Sequence, residues 1–255
     1  MSNGRLPKID ILYEDENCAV INKPPGIMVH SDGRGEGPFL TDWVAKKFPQ
    51  AVNVGDPMTA SDGSIMNRGG IVHRLDRETS GVLIIAKTAE GHAYIKKQFQ
   101  DRTISKKYLT FVWGEIKEEF GTITRPIGHS GSDFRKWSAQ RGIRGETREA
   151  ETYWTRVWTG KEKTEKFSLV EVEPKTGRTH QIRVHFLAIH HPVVSDSLYT
   201  PKHPPALGFN RLALHSRSIE FNTLGGKHVK IVAPLPDDFQ KACESLGILE
   251  SLARL

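Results

Sequence analysis

Residues 69–88 read "GGIVHRLDRETSGVLIIAKT": a Gly-Gly pair, a charged loop, then a short unbroken apolar run. The run "GVLIIAKT" is short and apolar on both alternating faces, which predicts a strand buried on both sides. The loop before it sets His73, Arg74, Asp76, Arg77 and Glu78 among apolar residues. That places a group of charges at the edge of a core, where reactive side chains are usually held. A carboxylate between two arginines stays ionised if either guanidinium comes within about 4–6 Å. Asp76 therefore reads as a nucleophile, a base, or one half of a surface ion pair.

Working outward, "AEGHAYIKKQFQDR" predicts a helix with a basic outer face that carries Lys96 and Lys97. Upstream, Ile9–Tyr13 and Ala19–Asn22 predict two strands joined by the acidic turn Glu14–Asn17, with Pro24, Pro25 and Gly26 ending the second. In the Gly-, Asp- and Ser-rich segment 31–70, only "FLTDWVAKKF" has helical spacing, so one helix is expected between flexible loops. Downstream, "SKKYLTFVWGEI" and "ETYWTRVW" predict strands, and the basic, Gly-rich stretch 130–148 predicts a mobile loop. "KFSLVEVEPKTGRTHQIRVHFLAIHHP" turns from strand to helix, with Thr179 as the expected N-cap and Pro192 as the stop. "RLALHSRSIEF", "KHVKIVAP" and a helix from Asp237 complete the chain. Strands and helices without strict alternation predict an α+β fold with a mixed, mainly antiparallel sheet and flanking helices around one main core.

The net charge of +6 over 255 residues favours a polyanionic partner, because each Lys or Arg placed on a phosphate releases counterions. No run of about eighteen apolar residues is present and the first residues lack a secretory apolar centre, so a cytoplasmic protein with no membrane partner is expected. Cys18 and Cys243 have no metal-like spacing, which leaves them as reduced thiols. His180, His185, His190, His191, His203 and His215 include no H-E-x-x-H pattern, so no metal site is expected.

Two further clusters carry chemistry. Arg178, His180, Gln181, Arg183 and His185 open the helix after "EPKTG", where helix N-termini favour anions such as phosphate. The same pattern also suits a solvated basic face. If Arg183 points inward it needs an acid, and Asp76 is a fitting partner. Tyr108 follows two lysines at the start of a strand, where it can stack on a base, hydrogen-bond, or simply pack.

Together, "YEDENCAVINKPPGIMVH", "HRLDRETSGVLIIAKT", "KKYLTFVWG", "EPKTGRTHQIRVH" and "RLALHS" closely resemble the RluA-type pseudouridine synthases, which isomerise uridine in structured RNA. The resemblance implies the pseudouridine synthase fold, with Asp76 as catalytic aspartate, Tyr108 as active-site tyrosine and Arg183 as its basic partner. It further implies RNA contacts from His73, Arg74, Arg77, Thr79, Arg178, His180 and Gln181, with Arg74 as the wedge beside a base flipped out of its stack. The implied reaction requires no cofactor. One carboxylate can attack C1′, as in retaining glycosidases, attack C6 of the ring, or remove a ribose proton to give a glycal.

Two departures from the family pattern stand out. In "HHPVVSDSLYT", His190, Ser195 and Thr200 occupy positions where relatives usually carry glycine, while Asp196 and Tyr199 are kept. Many relatives also carry an N-terminal S4 RNA-binding module, and the motifs here begin almost at once. A single catalytic domain is therefore expected to bind RNA through its own surface, with Arg135–Arg148 and the Lys96/Lys97 face as candidates. A monomer is the default, and the missing module leans towards tRNA over rRNA as the structured partner. The "HRLD" similarity to a kinase catalytic loop fails, because no Gly-rich loop, no "DFG" and no asparagine five residues after Asp76 accompany it. The remaining rival is an RNA-binding or RNA-chaperone protein without catalysis, against which the intact Asp76, Tyr108 and Arg183 argue.

Overall fold

The computed structural model describes residues 6–30, 39–59, 63, 65–140 and 142–254. Much of the expected loops at 31–38 and 60–64, and Arg141 within the expected basic loop, lie outside the described residues. The chain divides into two compact units, one of residues 1–105 and 216–234, the other of 106–215 and 235–255.

In the first unit, β1 (Asp10–Glu14) and β2 (Cys18–Lys23) form an antiparallel hairpin. Its turn closes because the Asp15 carboxylate accepts the N–H groups of Asn17 and Cys18, each at 2.8 Å. Next come α1 (Leu40–Lys47), a 3₁₀ turn (Pro49–Ala51) and a two-residue pair, β3 (Met58–Thr59) with β4 (Ile65–Met66). Then β5 (Ser80–Ala86) pairs antiparallel with β2 and is buried along its whole length, as its apolar run predicts. The helix α2 (Ala89–Gln100) starts where Thr88 Oγ1 accepts the Gly91 N–H at 3.0 Å.

Late in the chain, β13 (Leu214–Asn222) lies beside β5 and pairs antiparallel with β14 (His228–Val232). Gly81 sits at φ 113°, and a Cβ there would run into the Ser216 carbonyl, so only glycine lets β13 approach. Val20, Val82, Ile84, Ile95, Ile219 and Phe221 fill the core of this unit.

In the second unit, β6 (Ser105–Trp113), β12 (Glu165–Pro174), β11 (Thr152–Glu162) and β7 (Phe120–Ile123) lie in that order, all antiparallel. Two more helices, α3 (Gln181–Ala188) and α4 (Asp237–Ser245), and a 3₁₀ turn (Leu249–Arg254) belong here. Phe111, Phe209 and Phe239 pack ring on ring, with centroids 4.9–5.8 Å apart.

The mainly antiparallel α+β fold agrees with the sequence, and three local expectations are corrected. The stretch 130–148 is not a loop: β8 (Ile127–Ser130), β9 (Trp137–Ser138) and β10 (Ile143–Arg148) make a three-stranded antiparallel sheet. Ile127 and Ala139 anchor it with Val184 and Ala188 of α3, so a few buried apolar residues outweigh the local glycine and charge. Thr179 does not cap α3; His180 holds that position in the left-handed region at φ 56°. The helix stops at Ala188, ahead of Pro192, through a Schellman closure in which His190 N–H reaches the Leu187 carbonyl and His191 N–H the Phe186 carbonyl.

Candidate active site

Asp76 sits in the turn between the Ile71–Ile85 bridge and β5, with the Thr79 N–H on its carbonyl at 3.1 Å. Leu75 is buried beneath it, Asp76 is half-buried, and Arg74 and Arg77 are exposed. Three anchors fix this loop. Nε2 of His73 accepts the Ile84 N–H at 2.9 Å, and its ring packs on Phe99, tying the loop to β5 and α2. Arg77 exchanges bonds with Gly26: its carbonyl accepts the Gly26 N–H at 2.9 Å and its Nε donates to the Gly26 carbonyl at 3.1 Å.

The third anchor is Lys23, which the sequence reading missed. It is fully buried, and its ammonium donates to the carbonyls of Pro24, Ile27 and Arg77 at 2.9, 3.0 and 3.1 Å. The signal was a lysine closing the mainly apolar strand "CAVINK", directly before Pro-Pro-Gly. Such a charge is tolerated in a core only when its protons are all engaged. Thr79, expected at the RNA surface, is instead 2% exposed, with its hydroxyl unpartnered among the described residues.

On β6, Tyr108 is buried opposite Val172 of β12. Strand alternation puts Lys106 on the same face as Tyr108 and Lys107 on the other, where Lys107 pairs with Glu171 at 2.7 Å. Burial, reinforced by the charge of Lys175, pushes the Lys106 ammonium down to about 8.

The cluster at α3 separates into distinct tasks. The Gln181 side chain is wholly engaged: Oε1 accepts from Thr176 Oγ1 at 2.6 Å and Arg178 N–H at 3.0 Å, while Nε2 donates to the Glu151 carbonyl and Thr152 Oγ1, both at 2.9 Å. It folds the "KTGR" turn against β11. Arg178 Nε donates to the Glu149 carbonyl at 3.1 Å. His180 Nδ1 lies 2.7 Å from the Tyr199 hydroxyl, which also accepts the Trp137 N–H at 2.9 Å. The histidines His185 and His191 are taken up by Thr152, the Arg125 carbonyl and the Trp113 carbonyl, each at 2.9 Å.

Arg183 does point inward, 8% exposed, and its fork meets a carboxylate that the sequence reading had not paired with it. Nε and Nη2 reach the two Asp196 oxygens at 2.8 Å each, and the guanidinium lies 4.9 Å from the Tyr199 ring centroid. Asp196, 2% exposed, also accepts the N–H groups of Leu198 and Tyr199 at 3.2 and 3.1 Å. Asp196 and Tyr199 thus both have a structural task at Arg183. His190 and Ser195 keep the left-handed backbone, at φ 65° and 56°, despite carrying side chains. Thr200 is buried, with Oγ1 donating to the Asp196 carbonyl at 3.0 Å.

Residues 17–188 match the RNA pseudouridylate synthase family. This chain belongs to that family. The match contains Asp76, Tyr108 and Arg183 and ends before Asp196 and Tyr199, which the structure adds to the environment of Arg183. An uncharacterized RNA pseudouridine synthase of Mycobacterium bovis is 36% identical over 240 residues, covering 92% of this chain and 72% of its own. Ribosomal large subunit pseudouridine synthase D of Xanthomonas campestris is 32% identical over 251 residues, covering 93% and 69%. Among solved structures, human RNA pseudouridylate synthase domain containing 1 superimposes with a TM-score of 0.70 at 25% identity, covering 92% of this chain and 87% of that one. Pseudouridine synthases are isomerases that leave the RNA chain intact. Within each unit, this member pins its motif residues by buried polar bonds. Among the described residues no helix is long and apolar enough to cross a membrane.

Proposed function

We propose that the chain converts specific uridines of a structured RNA to pseudouridine, with Asp76 as the reacting carboxylate. The observation that carries this reading is the Asp76 loop itself: a half-buried acid, flanked by exposed Arg74 and Arg77, on a turn stitched down by Lys23 and His73. The reaction breaks N1–C1′, forms C5–C1′, loses the C5 proton and gains one at N1, so it needs no redox partner. An ionised, positioned carboxylate suits attack at C1′ or C6, or removal of a ribose proton. Tyr108 stacks on the uracil and assists loss of the C5 proton. Arg183, whose guanidinium is oriented by Asp196, is the basic residue of the reaction. Arg74 fills the space left by the flipped base.

The names of the Xanthomonas and Pseudomonas aeruginosa relatives, both ribosomal large subunit pseudouridine synthase D, support rRNA over tRNA as the substrate. Of the basic surfaces, β10 is favoured, since Arg144 and Arg148 are exposed on it. Lys96 and Lys97 are already engaged by Asp56 and Asp101. The chain acts in the cytoplasm, as a single catalytic domain and a monomer. The test uses bulk rRNA and tRNA labelled with tritium at uracil C5: the protein releases label from one pool. Tight RNA binding with no release from either pool favours a non-catalytic binder instead.

A further inference from the structure

We propose that the rings of His129 and Trp137, with Arg144 beside them, form a ledge on which a base of the RNA other than the reacting uridine stacks. This rests on the reading of the chain as an RNA-modifying enzyme and names a grip on the sheet of β8, β9 and β10. In that sheet Arg144 of β10 lies opposite His129 of β8, and His129 lies opposite Trp137 of β9. Residues directly opposite in antiparallel strands point to the same face, so the three side chains stand in one row. The His129 and Trp137 ring centroids are 3.9 Å apart and their planes differ by 31°, which makes a tilted stack.

The row has a fixed foot and an open top. His129 shares its strand face with Ile127, which is buried with Val184 and Ala188 of α3, and Trp137 packs on the same cluster. The Trp137 N–H donates to the Tyr199 hydroxyl at 2.9 Å, and the Tyr199 ring centroid lies 4.9 Å from the Arg183 guanidinium. The ledge is therefore tied, inside one unit, to the surroundings of Arg183. Outward, Trp137 is only half-buried, while His129 and Arg144 are exposed. The stack thus presents ring surface to solvent instead of closing a core. The charges select the partner. Residues 129–148 carry five Lys or Arg against Asp133 and Glu146, and Asp133 is held by Arg135 at 2.8 Å. Aromatic surface in a basic setting suits an unpaired stretch of nucleic acid, whose bases stack on the rings while its phosphates meet the cations. Because the two rings already rest on each other, an arriving base has little side-chain freedom to remove.

Two measurements decide the matter. First, ribosomal RNA labelled with 4-thiouridine is bound to the full chain and irradiated, and the cross-linked peptides are sequenced by mass spectrometry. Cross-links at His129 or Trp137 are expected. They should fall sharply in His129→Ala, which removes an exposed ring and leaves the buried cluster whole. Absence of cross-links from residues 127–148 overturns the proposal.

Second, binding of bulk rRNA, and of polyphosphate, which has the charge and no bases, is measured against salt for the wild type and four variants. His129→Ala and Trp137→Leu are each expected to weaken rRNA binding about tenfold at an unchanged salt slope, the share of one stacked base, and Trp137→Phe to stay within about threefold. Arg144→Gln is expected to lower the slope of log K against log salt by about 0.7–0.9, one phosphate's share. Polyphosphate binding should not respond to the ring variants. Wild-type rRNA affinity in His129→Ala, or an equal loss for polyphosphate, overturns the proposal, and His129→Ala with Trp137→Phe keeps the test open if Trp137→Leu folds poorly. A chain that binds no RNA fails as an RNA-modifying enzyme and loses the ledge with it. A chain that releases tritium from C5-labelled RNA while His129→Ala binds like the wild type loses the ledge alone.

Discussion

Replacing Asp196 by asparagine changes one charge inside the second unit and leaves the shape intact. The Arg183 guanidinium is 8% exposed and its Nε and Nη2 are matched to both carboxylate oxygens, so neutralising Asp196 weakens a buried ion pair. Breaking one side of such a pair costs about 3–5 kcal/mol. The asparagine amide oxygen can still accept one bond, so the lower end, about 3 kcal/mol, is expected. For a chain of this size that lowers Tm by about 6–12 °C. The assay is urea and thermal unfolding followed by circular dichroism, for Asp196→Asn, Arg183→Met and the double variant. The double variant should lose less than the sum of the singles, with a coupling of about 1–3 kcal/mol, because the two side chains share one buried ion pair. An Asp196→Asn variant within about 0.5 kcal/mol of wild type, or additive singles, would refute the reasoning.

His190→Gly relieves a non-glycine residue from the left-handed region and is expected to raise stability by about 1 kcal/mol, read as a higher urea midpoint with an unchanged slope. Lys23→Met keeps the volume but removes three bonds to the Pro24, Ile27 and Arg77 carbonyls. A loss of about 2–4 kcal/mol and faster hydrogen exchange at Gly26 are expected, and unchanged exchange there would show that Lys23 does not fasten the loop. The pH prediction concerns His30, whose folded pKa, near 4, lies below its ordinary 6.5, so folding disfavours its charged form. Its contribution is fully present above 6.5 and is lost as pH falls towards 4, by about 1–3 kcal/mol once partial exposure is discounted. His30→Gln should flatten the stability profile over that window in the absence of RNA; parallel profiles would contradict the burial of a neutral imidazole.

What was legible in the sequence follows from the length scale of each signal. The strand β5 and the helix α2 were readable because apolar runs and helical spacing are local, and β5 is buried throughout. The three strands between 127 and 148 were not readable, because their charged and glycine-rich composition says loop while their burial depends on Val184 and Ala188, distant in the chain. The positions of Asp76, Tyr108 and Arg183 were legible only through their motifs. The acid that grips Arg183 follows it by thirteen residues, across a turn no periodicity describes. Lys23 was hidden by the habit of reading lysine as surface. His180 as N-cap escaped because a left-handed, non-glycine cap is rare and Thr179 is the better local candidate.

The central claim is that Asp76 carries the isomerisation. Its most direct test is tritium release from C5-labelled bulk RNA by wild type and Asp76→Asn, with RNA binding measured on the same preparations. The account predicts release by the wild type and none by Asp76→Asn, with RNA still bound. Release by Asp76→Asn at the wild-type rate would contradict it.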